Sequence, residues 1–136
     1  MTHPILALQG ALRAALAEDA ALVALIGADG VFDAPPRGRE PPYVTILRHD
    51  IAARDGDLTP GHAHRLVLQA WAAGPSRKEA MALVDRLMAV GLDAPLAPEG
   101  LVVTLRRHER TETAIDARTG RARATLTLGF FTEPSA

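Results

Sequence analysis

The chain has 136 residues, of which 48% are hydrophobic, 4% aromatic and 23% charged, with a formal net charge of −1. Soluble domains cluster at about 100–150 residues, so this length suits one domain, residues 1–136, with a core of its own. Zero cysteines exclude a disulfide scaffold, a thiol nucleophile and a cysteine zinc site; the Leu and Val content argues against disorder, and near-neutrality against a general nucleic-acid binder.

The first helix is capped by Thr2 or His3, with Pro4 in its first turn, where a missing N–H costs nothing. Ile5, Leu8, Leu12 and Leu16 recur at helical steps and form one apolar stripe. Asp19 is the N-cap of a short second helix, Ala20 to Ile26, and Gly27 stops it. That apolar run is far below the roughly 20 residues a bilayer requires, and Pro4, Gln9, Arg13 and Glu18 interrupt the N-terminus too often for a secretory signal. The expectation is a soluble intracellular protein with no membrane partner.

Val31 to Ala34 is a short strand, followed by Pro35, Pro36, Gly38, Pro41 and Pro42, a density that forbids helix and central strand. Tyr43 to His49 is a strand by its β-branched content; its two faces differ little in polarity, so its buried side is open. Asp50 to Gly61 carries Asp-Gly-Asp and Thr-Pro-Gly, the marks of a long loop or hairpin tip. From His62 to Trp71 the alternation sets His62, His64, Leu66, Leu68 and Ala70 on one face and Arg65, Val67, Gln69 and Trp71 on the other.

Ser76 to Glu79 form a capping box, and the helix it starts runs to Val90, with Gly91 as its C′ residue. Leu101, Val103 and Leu105 alternate with Val102, Thr104 and Arg106, then the pattern turns polar through Thr113. On the return strand Ala122, Ala124, Leu126, Leu128 and Phe130 point one way, and Arg121, Arg123, Thr125 and Thr127 the other. These two strands make a long hairpin with Thr119-Gly120 near its reversal, an arm that one subunit cannot bury alone. The expected fold is α+β: a mostly antiparallel sheet, helices packed on one face, and a long C-terminal β-hairpin.

Few constellations carry chemistry. His62 and His64 project from one face and, with His49 or Asp50, have donors for a divalent metal; the competing reading is two exposed histidines at a strand start. Asp55 and Asp57 flank Gly56 like a calcium loop but lack the closing glutamate, which leaves a solvated turn. The only serines are Ser76 and Ser135, a cap and a tail residue, so no Ser-His-Asp set exists, and no glycine run forms a phosphate loop. No enzyme and no cofactor is expected. Trp71 is either a core anchor at the sheet edge or an interface hot spot.

The chain holds 26 alanines, and 14 arginines against a single lysine, Lys78, a balance that fits GC-rich codons. Yet Arg106, Arg107, Arg110, Arg118, Arg121 and Arg123 crowd the last hairpin, interleaved with His108, Glu109, Glu112 and Asp116. Three readings are open: a solvated hairpin end, an inter-subunit ion-pair surface using these arginines with Glu109 and Glu112, or direct contact with DNA.

Val31-Phe32-Asp33-Ala34-Pro35-Pro36, then Pro42-Tyr43-Val44-Thr45, then Gly61-His62-x-His64-x-Leu66-x-Leu68-x-x-Trp71, the Arg77-Lys78-Glu79-Ala80 helix and the Thr-Gly-Arg hairpin ending Phe131-Thr132-Glu133-Pro134 follow in a familiar order. From Leu6 to Pro134 the chain resembles the small tail-completion or tail-terminator proteins of long-tailed bacteriophages and alphaproteobacterial gene transfer agents. The resemblance implies a structural, non-enzymatic subunit of a hexameric ring on the head-proximal end of the tail tube. Such a ring stops tail polymerisation and joins the tail to the head. The implied partners are further copies of itself, the major tail tube protein and a head-completion or stopper protein, with DNA crossing the lumen without sequence recognition. The implied location is the tail or neck of a virion or phage-like particle assembled in the host bacterial cytoplasm. The alternatives left by the residues are a small metal- or ligand-binding α+β module using His49, His62 and His64, and a DNA-contacting adaptor using the arginine-rich hairpin.

Overall fold

The computed structural model describes residues 2–54 and 60–135. In chain order its elements are α1 (Pro4–Ala17), α2 (Ala20–Ile26), β1 (Val31–Phe32), β2 (Tyr43–Ala53), β3 (His62–Trp71), α3 (Arg77–Asp93), β4 (Leu101–Ile115) and β5 (Ala122–Pro134). The strands form one five-stranded sheet in the order β1-β2-β3-β5-β4. Only the β1–β2 pair is parallel; the other three pairs are antiparallel. The α+β class and the C-terminal strand pair expected above are present.

Local chemistry starts and stops the helices. His3 Nδ1 accepts from the Ile5 N–H at 3.1 Å, Asp19 from Leu22 at 3.0 Å and Ser76 from Glu79 at 3.2 Å; each satisfies a donor that a helix N-terminus leaves unpaired. Gly27 ends α2 at φ 85°, where a side chain would be strained. All three helices cover the same sheet face. Leu8, Leu12 and Leu16 of α1, Leu22 and Ile26 of α2, and Leu83, Val84 and Leu87 of α3 close over Val44, Leu66, Leu68, Leu126, Leu128 and Phe130 in one buried cluster. Burial of each large side chain of this set contributes about 1.5–3 kcal/mol. Asp19 adds a second role to its cap: its carboxylate takes two hydrogen bonds from Arg86 of α3, at 2.9 and 2.6 Å, and so clamps α2 to α3.

Several expectations are corrected. Gly91 does not end α3, which runs to Asp93 with Ala94 as its cap. Instead the glycine lets the helix lie against β5, where a Cβ would stand 2.8 Å from Leu128 Cδ1. Asp50 to Ala53 are strand rather than loop, because they pair with His62 to Arg65; the Asp55–Asp57 turn lies outside the described residues. The last hairpin is not a projecting arm. β5 pairs with β3 from Arg123 to Thr132, so it is interior and β4 is the edge. Trp71 is not at the sheet edge, since β3 is a central strand; it ends that strand half-buried on the face that carries no helix. The strict alternation expected for β4 fails at two irregularities, Val103/Leu105 and His108/Arg110. The first turns Arg106 to the helix side, level with Phe130.

Candidate functional site

The helices leave the second face of the sheet bare. Cross-strand neighbours share a face, and the register places Arg48, Val67, Thr127 and Arg110 in one row and Asp50, Arg65, Gly129 and Arg107 in the next. This face is mixed in charge and holds most of the ion pairs. Glu109, in the second irregularity of β4, receives Arg65 at 3.1 Å and Arg107 at 3.2 Å. Gly129 makes that possible: a Cβ there would sit 2.5 Å from Glu109 Oε2. Arg110 pairs with Glu112 at 2.9 Å and Arg48 with Asp50 at 2.7 Å, each two residues apart along its own strand. Arg54 lies 4.1 Å over the Phe131 ring and Arg107 5.5 Å from its centroid, two cation–π contacts on a bare sheet. A shallow depression of about 220 Å³ lies among Arg65, Arg107, Glu109 and Phe131.

The remaining hairpin arginines scatter. Arg106 donates to the carbonyl oxygens of Gly91 and Ala94 and satisfies the C-terminal end of α3. Its guanidinium therefore serves the fold on the helix side. Arg118 is exposed in the turn between β4 and β5. Arg121 reaches Glu40 of the Pro-rich link at 2.8 Å. Arg123 pairs with Asp116 at 3.5 Å and lies 5.9 Å over Trp71. The structure thus gathers Arg107, Arg110, Glu109 and Glu112 on the open face and sends Arg106 elsewhere. Sequence reasoning did not assign Arg48, Arg54, Arg65 or Phe131 to a site, and named Asp50 only as a metal donor. The alternation of β3 already put Arg65 on the Trp71 face and was the available signal.

The histidines have a different use from either one expected. His64 is 3% exposed, not a surface residue. Gln9 Nε2 lies 3.0 Å from His49 Nδ1, His49 Nε2 lies 2.9 Å from His64 Nδ1, and His64 Nε2 lies 2.8 Å from Thr132 Oγ1. One assignment satisfies every atom: the Gln9 amide donates to His49, His49 donates through Nε2 to His64, and His64 donates through Nε2 to the Thr132 hydroxyl. Both imidazoles are then neutral. Burial pushes His49 down to about 4; burial, aided by the neighbouring histidines, does the same to His64. Their four ring nitrogens are engaged inside the fold, and among the described residues no group of three or more His, Asp or Glu side chains has metal-holding geometry.

A helix-backed sheet with one bare, ion-paired face and a long edge strand, β4, suits a structural subunit of an assembly. The family model described as tail completion protein gp17 matches residues 10–133, and the chain belongs to that family. It is a structural protein of phage-type tails. No curated protein matched in sequence. Among solved structures, a chain in the virion of a native gene transfer agent particle is similar at a TM-score of 0.85 and 23% identity, over 97% of this chain and 99% of that one. No helix among the described residues is long and apolar enough to cross a membrane.

Proposed function

We propose that residues 1–136 form one tail-terminator domain that assembles as a ring, hexameric by its resemblance, on the head-proximal end of the tail tube. In this reading the ring ends tube polymerisation and offers its other side to a head-completion or stopper protein. DNA passes through the lumen without sequence recognition, and the protein performs no catalysis. The observation that carries the reading is the tail-completion family match over residues 10–133, and the fold shared with a chain in the virion of a native gene transfer agent supports it. The open face supports it: Arg107 and Arg110 are matched by Glu109 and Glu112, which suits contact between protein subunits better than a phosphate clamp.

Negative-stain imaging of the purified protein, alone and with tail tubes, tests the reading. Rings on one end of the tubes are expected. Monomers that never decorate tube ends overturn it. Charge reversal of Arg107 and Arg110 together is expected to reduce ring assembly, and unchanged rings remove these side chains from the interface. A titration with DNA at low salt separates the adaptor reading, which requires binding that weakens steeply as salt is added.

A further inference from the structure

Among the described residues the sheet has two uncovered edges. β4 is the terminal strand, and none of its residues is buried. On the other side β1 pairs only with Val44 and Thr45, so from Ile46 onward the outer side of β2 has no strand beside it among the described residues. An open edge presents a row of unpaired N–H and C=O groups, a template for another strand. Two open edges on opposite sides of one sheet fit a head-to-tail contact, the kind that closes into a ring. β2 and β4 run in opposite directions across the order β2-β3-β5-β4. A copy placed beside the first therefore brings these edges together antiparallel. Crossing four antiparallel strands also leaves level residues on the two edges in the same hydrogen-bonding phase.

The side chains select one register. Arg48 is level with Arg110 through Val67 and Thr127, so an unstaggered contact sets two guanidinium groups face to face. Sliding β4 one way brings Arg107 opposite Arg48, again like charges. Sliding it two residues the other way sets Arg48 against Glu112 and Asp50 against Arg110, both pairs on the bare face. Two residues further, Asp50 meets Glu112. Only one in-phase register near level is attractive at both positions, and opposite charges facing across strands stabilise a pair while like charges destabilise it. Leu47, in the irregularity of β2 next to Arg48, and Ile115, at the end of β4, are both exposed apolar residues near these edges. In this register the two strands are both free of irregularity where Arg48 to Asp50 face Arg110 to Glu112; β2 shifts between Ile46 and Arg48 and β4 between His108 and Arg110.

We propose that β4 of one copy adds to β2 of the next, antiparallel, with Arg48 facing Glu112 and Asp50 facing Arg110, so that the sheet runs on from subunit to subunit. This rests on the ring reading and specifies its contact. The within-strand pairs Arg48–Asp50 and Arg110–Glu112 then exchange partners across the interface.

Zero cysteines make the test clean. On tube-bound protein, D50C/R110C is treated with a short bis-methanethiosulfonate and compared with R48C/R110C, which reports the unstaggered register. A covalent ladder on non-reducing gels is expected for the first pair and at least tenfold less bridging for the second. Independently, R48E/D50R is expected to lose rings, and adding R110E/E112R to restore them. Rings that form without bridging in D50C/R110C, or that the fourfold exchange fails to restore, overturn the strand pairing and leave the terminator reading standing. Wild-type protein that forms no ring alone or on tubes overturns both.

Discussion

The chain Gln9–His49–His64–Thr132 makes folding stability depend on pH in a defined window. Both histidines lie at about 4 in the folded protein, below the 6.5 of an exposed imidazole. A depressed histidine is neutral in the fold and protonates first in the unfolded chain. Its contribution is therefore complete above about pH 6.5 and is lost as pH falls toward 4. Each proton taken up only by the unfolded state costs about 1.4 kcal/mol per pH unit. At pH 5 this amounts to about 2 kcal/mol for each histidine and about 4 for the pair, a large share of the roughly 5–15 kcal/mol that holds a domain together. The assay is urea denaturation at pH 7 and pH 5 of the wild type and of H49Q/H64Q, with the variant subtracting the carboxylates that titrate in the same range. The wild type is expected to lose about 4 kcal/mol more than the variant. Proton NMR should show two imidazole signals titrating near pH 4. Equal acid losses in the two proteins, or no signal titrating below pH 5, refute the buried neutral chain.

Asp19→Ala removes both an N-cap and the acceptor of Arg86; a loss of about 2–3 kcal/mol in chemical denaturation is expected, with Asp19→Asn losing less because it keeps the cap. Gly91→Ala drives a methyl to 2.8 Å from Leu128 Cδ1 and is expected to cost about 1–3 kcal/mol by overpacking, despite the better helix propensity of alanine. Gly129→Ala displaces the Glu109 carboxylate and is expected to leave the core and far-ultraviolet spectrum unchanged while weakening assembly, read by sedimentation; intact assembly would show that Glu109 plays no part in the contact.

The elements with strong periodicity were legible. The stripe of α1, the serine cap of α3 and the alternation of β5 each follow from local spacing, and the structure reproduces them. What escaped depends on partners distant in the chain. The alternation set His64 on the face of Leu66 and Leu68, but nothing local shows what satisfies its ring nitrogens there; Thr132 and His49, from two other strands, do so. Gly91 resembles a helix stop, and only the position of Leu128 across the interface shows why a side chain is excluded there. An irregularity in a strand shifts one residue to the wrong face without a mark in composition, and so Arg106, counted with the surface arginines, turned out to hold the end of α3. The open face was half visible. Arg65 and Trp71 fell on one side of β3, but that no helix would cover this side followed only from all three helices choosing the other.

That choice explains the arginines better than codon usage does. Exposed ion pairs such as Arg48–Asp50 and Arg110–Glu112 contribute about 0–1 kcal/mol in a separate subunit, because water screens them and long side chains lose entropy. Their stability value gives no reason to place them along two sheet edges. Their pattern has a use once an edge meets another copy: alternating signs at one spacing on both strands accept one register and repel its neighbours. A contact specified this way loses little when one charge is neutralised and much when one is reversed, since reversal creates repulsion in the register that had been attractive. Asp50→Asn is therefore expected to retain rings and Asp50→Arg to lose them. If both variants assemble equally well by sedimentation and imaging, the charges do not set the register, and the two edges must be matched by their backbones alone.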